Sequence, residues 1–104
     1  MVLCAGFGTR LRPLTDERPK PLVPLGDRTL LEHVLAGLTG HGLLPAVVNS
    51  HHLNEIFRVI TRGWPSIARV LVEVKIRGTA GGVAWARDLL GPPPVLVVNG
   101  DVLA

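Results

Sequence analysis

The sequence predicts an α/β fold built on an open parallel sheet with helices packed on its faces. Three observations predict it. Short apolar runs alternate with amphipathic stretches of helical period along the 104 residues. Glycines and prolines punctuate the junctions between them. The last apolar run, residues 95–99, is nearly all aliphatic, as a central parallel strand must be.

The elements follow in order. Residues 1–5 read as a buried strand, cut off by Gly6 and Gly8. Pro13, Pro19, Pro21 and Pro24 then forbid regular structure, so residues 6–28 are expected to form one long loop. A loop of that length inside a compact domain is usually functional or disordered. Thr29 can cap a helix, with Glu32 as the reciprocal partner of a capping box. Leu30, Leu31, Val34, Leu35 and Leu38 supply its apolar stripe, and Gly40 and Gly42 end it. Residues 46–49 form a second strand. Residues 54–62 form a second helix with Ile56, Val59 and Ile60 facing inward, closed by Gly63 and Pro65. Residues 69–76 form a third strand in which Val70, Val72 and Val74 make one apolar face. Residues 81–90 form a third helix, stopped by Gly91 and the prolines after it. Trp64 and Trp85 are expected to pack, Trp85 on the inward stripe with Leu89. Residues 95–99 are the fourth strand.

Strand and helix therefore alternate, which is the pattern of a parallel sheet. Right-handed crossovers place the second and third strands successively to one side of the first. The return through the third helix carries the fourth strand to the other side. The expected sheet is Rossmann-like with order 3-2-1-4, and ligands bind such sheets at the carboxyl ends beside the switch point. Those ends carry Gly6-Phe7-Gly8-Thr9-Arg10 and Asn99-Gly100-Asp101. Two helices fall on one face and one on the other, and Val102, Leu103 and Ala104 follow the fourth strand directly. A core left open in this way is expected of a fragment, so the fold so read is truncated.

Composition narrows the function. Hydrophobic residues are 47% and aromatics only 4%, so the core is aliphatic and the chain is not a disordered tail. Lys and Arg exceed Asp and Glu by 11 to 8, a surplus that suits an anionic ligand. No basic run interleaved with aromatics appears, which argues against nucleic acid. Instead Arg10, Arg12, Arg18 and Lys20 cluster in one segment, the mark of a local anion site. One cysteine excludes an intrachain disulfide and a zinc set. No signal peptide is visible, and no apolar run approaches the roughly 20 residues of a membrane span. A soluble cytoplasmic protein is the expectation.

The chemistry concentrates at the strand ends. Gly6 and Gly8 let backbone N–H groups approach a phosphate, and Arg10 adds a bidentate cation. A plain turn is the competing reading. The dinucleotide fingerprint fails because Leu11 stands at its third glycine and Pro13 blocks its helix; no Walker A loop is present. Lys20 is stiffened between Pro19 and Pro21, against the simpler reading of a solvated lysine. Asp101, ending an aliphatic strand, is placed to hold magnesium together with phosphate oxygens. The open backbone of Gly78-Thr79-Ala80-Gly81-Gly82 can meet a base or ribose, with Thr79 also able to cap the helix. His51 and His52 lack a third ligand and are expected to order their loop by hydrogen bonding. Cys4 reads as inert core.

Taken together these segments resemble the sugar nucleotidyltransferase family. The resemblance rests on Leu3-Cys4-Ala5-Gly6-Phe7-Gly8-Thr9-Arg10-Leu11, Arg12-Pro13-Leu14-Thr15 and Pro19-Lys20-Pro21-Leu22-Val23-Pro24. Asn49-Ser50-His51-His52, the 78–82 turn and Val98-Asn99-Gly100-Asp101 match in the right order. Cys4 stands where the family commonly has alanine. The resemblance implies a nucleotide-diphospho-sugar transferase fold, of which residues 1–104 are the nucleotide-binding half. It implies that Ala5, Gly6, Gly8, Thr9 and Arg10 hold the triphosphate and that Lys20 contacts the reacting phosphates. It places Glu73, Gly78 and Thr79 near the base, and Asp101 on a catalytic magnesium. Arg10 and Lys20 would be the catalytic cations. The implied partners are a nucleoside triphosphate and a sugar 1-phosphate, with no nucleic acid and no membrane, and a homo-oligomer is left open. The 78–82 turn is nearer the uridylyl and guanylyl branches than the thymidylyl one. A nucleotide-binding regulatory subunit of the same fold is the alternative.

Overall fold

A computed structural model describes residues 1–101. Four parallel strands form the sheet: β1 (Val2–Leu3), β4 (Ala46–Ser50), β5 (Ile67–Val72) and β6 (Val98–Asn99). Their order is β5-β4-β1-β6. This is the 3-2-1-4 order that crossover handedness demands. Val2 pairs with Val48 on one side and Val98 on the other, which makes β1 central. The expectations about residues 102–104 lie outside the described residues.

The sheet divides two apolar layers. Val2 of β1, Cys4 just after it, and Ala46 and Val48 of β4 join Leu22, α2 (Leu30–Thr39) and Phe57 of α3 (Asn54–Thr61) in the larger core. Met1 and Val47 face the other way and meet Ala86 of α4 (Gly78–Ala86). Two helices therefore cover one face and one the other, as expected.

Helix α2 begins as the sequence predicts. Thr29 Oγ1 accepts from the Glu32 amide at 3.1 Å, and Glu32 Oε2 accepts from the Thr29 amide at 2.6 Å. Two orphan donors are satisfied reciprocally. Leu31, Val34 and Leu35 are its buried stripe.

Several expectations are corrected. Residues 6–28 are not one irregular loop. They fold into a 3-10 turn at Thr9–Leu11, the short helix α1 (Leu14–Glu17), a second 3-10 turn at Lys20–Leu22, and the start of the hairpin β2 (Pro24–Leu25) and β3 (Arg28–Thr29). The prolines do not forbid these pieces. Pro13 flanks α1 and Pro21 lies within a 3-10 turn, where the missing N–H costs nothing.

The phase of α3 differs too. Val59 is 64% exposed and Ile56 is exposed, while Phe57 and Thr61 are buried and Ile60 packs beside them. Phe57 is the largest side chain in the helix, and burying it turns the axis so that the smaller β-branched pair faces water.

Strand β5 stops at Val72 rather than Ile76. Val74, expected on the apolar face, is 89% exposed, and Glu73 beside it is buried. Glu73 is drawn in by hydrogen bonds described below, and the chain leaves the ladder to place it. Helix α4 starts at Gly78, three residues before the expected start, and Arg77 rather than Thr79 occupies its cap position with no side-chain cap bond. Gly82 and Ala86 are its buried residues. Trp85 and Leu89 are exposed rather than inward, and the Arg77 guanidinium lies 4.3 Å from the Trp85 ring centre. Strand β6 is shorter than expected, with Val95 and Leu96 exposed before it. No helix among the described residues is long and apolar enough to cross a membrane.

Candidate functional site

The carboxyl ends of β1, β4 and β6 open onto a cavity of about 300 Å³. Its wall is built from the turn after β1. Gly8 has φ 65, and a Cβ there would lie 2.8 Å from Thr15 Cγ2 and 3.0 Å from Lys20 Cβ. Only glycine fits a left-handed residue so closely backed. Thr15, buried on α1, donates Oγ1–H to the Gly8 carbonyl at 2.6 Å. His52 Nε2–H donates in turn to the Thr15 carbonyl at 2.6 Å. Phe7 meets the rings of His51 and His52 edge-on, at 5.4 and 5.6 Å between centres. The histidines, expected to order their own loop after β4, thus tie that loop to the turn after β1 and to α1. No group of three or more described His, Cys, Asp or Glu side chains could hold a metal unaided.

Lys20 is held at its backbone and paired at its tip. Pro19, Pro21 and Leu22 around it are buried. Its ammonium reaches across to Asp101, with Nζ 2.7 Å from Oδ2. Asp101 stands where it does because Gly100 lies flush against β1. The Gly100 amide donates to the Leu3 carbonyl at 2.9 Å, and a Cβ on Gly100 would come within 2.6 Å of Cys4 Sγ. Burial, and then the Asp101 charge, push the Cys4 thiol pKa up, so Cys4 stays protonated and inert.

The floor is polar and buried. Asn49 Oδ1 accepts from the Cys4 amide at 2.7 Å, and Asn49 Nδ2 donates to Glu73 Oε1 at 2.8 Å. Glu73 Oε2 accepts from the Arg77 amide at 3.1 Å. His51 Nδ1–H donates to the Glu73 carbonyl.

Of the residues singled out from sequence, Ala5, Gly6, Gly8, Lys20, Glu73, Gly78, Thr79 and Asp101 line this one cavity. Thr9 and Arg10 do not; both are exposed on the neighbouring 3-10 turn. Asn49 and Thr15 were missed. An asparagine closing an aliphatic strand was the available signal for the first; Thr15 gave none, since its role depends on the fold-back of α1.

A glycine turn, a held lysine and a strand-end carboxylate around one hollow suit a bound polyphosphate. The family model described as nucleotidyl transferase matches residues 1–104. The chain belongs to the nucleotidyl transferase family. Curated relatives agree. The chain is 38% identical over 107 residues to N-acetylmuramate alpha-1-phosphate uridylyltransferase of Caulobacter vibrioides, covering 97% of this chain and 44% of that protein. It is 35% identical over 109 residues to mannose-1-phosphate guanyltransferase of Schizosaccharomyces pombe, covering 99% of this chain and 30% of that one. It therefore spans less than half the length of these nucleotidyl transferase relatives. The solved structure of HddC from Yersinia pseudotuberculosis, complexed with GMP-PN, superposes with a TM-score of 0.79 over 96% of this chain and 46% of that chain. At 24% identity that likeness shows the shared fold.

Proposed function

We propose that the protein transfers a nucleotidyl group from a nucleoside triphosphate to a sugar 1-phosphate, releasing pyrophosphate, and that residues 1–104 form its nucleotide-binding half. The observation that carries this is the meeting of Lys20 and Asp101 at 2.7 Å on the cavity that Gly6 and Gly8 also line. The curated relatives that act on sugar phosphates support it.

A sugar-phosphate oxygen attacks the α-phosphorus in line, the bond to the β-phosphate oxygen breaks, and pyrophosphate leaves with those electrons. The attacking phosphate is already ionised near neutral pH, so no general base is required. The work left to the protein is positioning and neutralising charge. Backbone amides of the turn after β1 meet the phosphates, and Lys20 leaves Asp101 to neutralise their charge. Arg10, exposed beside the turn, adds a second cation when the triphosphate lies along it.

A magnesium ion fits the donor set. Asp101 offers one carboxylate on the cavity, and magnesium takes one or two carboxylates with phosphate oxygens and water. The ion supplies charge neutralisation at the phosphates. Gly78 and Thr79, on the far wall, meet the base or ribose.

Titration calorimetry with UTP, GTP, CTP and dTTP, with and without magnesium, tests the binding claim. Pyrophosphate release with sugar 1-phosphates tests the transfer. Binding of a nicotinamide dinucleotide without any triphosphate overturns the proposal. Residues 1–104 alone are expected to bind without turning over, so triphosphate binding with no pyrophosphate release by the full-length protein, sugar 1-phosphates supplied, points instead to a nucleotide-binding regulatory subunit.

A further inference from the structure

Glu73 is a buried charge that no step above uses. It is 1% exposed, and Asn49 beside it is 3% exposed. Neither is open enough to be a principal contact for a ligand, although both border the cavity. A carboxylate this deep is costly unless hydrogen-bonded, and an apolar pair would fill such a site more cheaply. The bonds it makes run in one chain. Cys4 N–H donates to Asn49 Oδ1 at 2.7 Å, Asn49 Nδ2–H to Glu73 Oε1 at 2.8 Å, and Arg77 N–H to Glu73 Oε2 at 3.1 Å. Donor and acceptor roles fix the asparagine's orientation: its oxygen must face the amide and its nitrogen the carboxylate.

The two ends of this chain matter. Cys4 leads directly into Ala5 and Gly6, and Arg77 directly into Gly78 and Thr79; all four of those residues line the cavity. Helix α4 packs close over the link because position 82 is glycine. A Cβ there would lie 2.8 Å from Glu73 Oε1 and 3.0 Å from Asn49 Nδ2.

We infer that Asn49 and Glu73 are positioning residues, a buried hydrogen-bonded strut that makes the turn after β1 and the start of α4 move as one unit. The two walls of the cavity then keep a fixed separation. In the nucleotidyltransferase reading, on which this inference rests, that separation is the distance from phosphates to base.

Exchanging the two functional groups tests it. In Glu73→Gln, one face of the amide presents N–H to a donor, so one link is lost. In Asn49→Asp, two carboxylates face each other. In the double variant Asn49→Asp/Glu73→Gln all three bonds return: Cys4 N–H to Asp, the new Gln N–H to Asp, and Arg77 N–H to the Gln oxygen. Two readouts are taken well below the melting temperature. Without ligand, exchange of the Cys4 and Arg77 amides should quicken in both single variants, each lesion being felt at both ends, and recover in the double. With magnesium and whichever of the four triphosphates binds the wild type, affinity should fall about tenfold or more in each single variant. It should return to within about threefold in the double. Single variants that melt lower yet bind as wild type, with the distant amide still protected, overturn the strut. A wild type that binds no triphosphate overturns the functional reading instead, while the exchange data still decide whether the strut exists.

Discussion

The Lys20 ammonium and the Asp101 carboxylate, 81 positions apart in sequence (101 − 20), stand 2.7 Å from each other beyond the carboxyl ends of β1 and β6. Their side chains are 32% and 29% exposed, so the pair is partly solvated and contributes little to folding, about 0–1 kcal/mol. Under the proposed function its weight is in the chemistry. Lys20→Met is expected to leave the denaturation midpoint nearly unchanged while lowering nucleotidyl transfer by roughly 10²–10³-fold, as removal of one electrostatic donor does elsewhere. Steady-state kinetics beside a denaturant melt would decide it. A fall of only a few-fold would remove Lys20 from the reaction.

Gly6 and Gly8 separate binding from stability. A methyl on Gly6 meets nothing within 4 Å, so Gly6→Ala should fold normally and obstruct only an incoming phosphate. Gly8→Ala meets Thr15 Cγ2 at 2.8 Å with φ at +65, and should destabilise by roughly 1–3 kcal/mol. Thermal melts and triphosphate titrations on the two variants should diverge in that sense. Equal melting temperatures would contradict it.

Cys4 sets a pH dependence. Burial first and Asp101 second raise its thiol pKa above the ordinary 9.0. The folded state then holds a proton that the unfolded state gives up. The associated stability is complete below pH 9.0 and is lost as pH rises beyond it, by roughly 1 kcal/mol per pH unit. Against a Cys4→Ala reference, the wild type should lose stability faster above that pH. Parallel curves in alkaline denaturant titrations would refute the assignment.

Ser50 is predicted to gain from losing its hydroxyl. Its Oγ is buried with no hydrogen-bond partner among the described residues. An unsatisfied buried hydroxyl costs about 1–3 kcal/mol, so Ser50→Ala should raise the melting temperature. A decrease would mean that the hydroxyl has found a partner after all.

What could be read from sequence followed the physics of each signal. Strand order was legible because crossover handedness leaves few alternatives. The capping box of Thr29 and Glu32 was legible because it is a local reciprocal bond. The gathering of Gly8 and Asp101 followed from the switch point, whereas Lys20 came to them only through the family resemblance. The phase of α3 was not legible, since Ile56, Val59 and Phe57 compete for one face and only tertiary packing decides. Val74 was assigned to an apolar face because period-two alternation assumes the ladder continues, and here the hydrogen bonds of the Glu73 side chain end it. Arg10 matched a motif, yet motif order says nothing about which side of a 3-10 turn faces the cavity.

The sheet order has a bearing on folding. Strand β1 is flanked by β4 and β6, and β6 is the last of the four in the chain. Closing β1 onto β6 spans nearly the whole described length, the slowest kind of loop to close. An intermediate holding β1, β4 and β5 would own the Asn49–Glu73 floor but not Asp101. Under the proposed function, ligand capture would then report arrival of β6, so that nucleotide, present during synthesis, would favour molecules with β6 in place over those still lacking it.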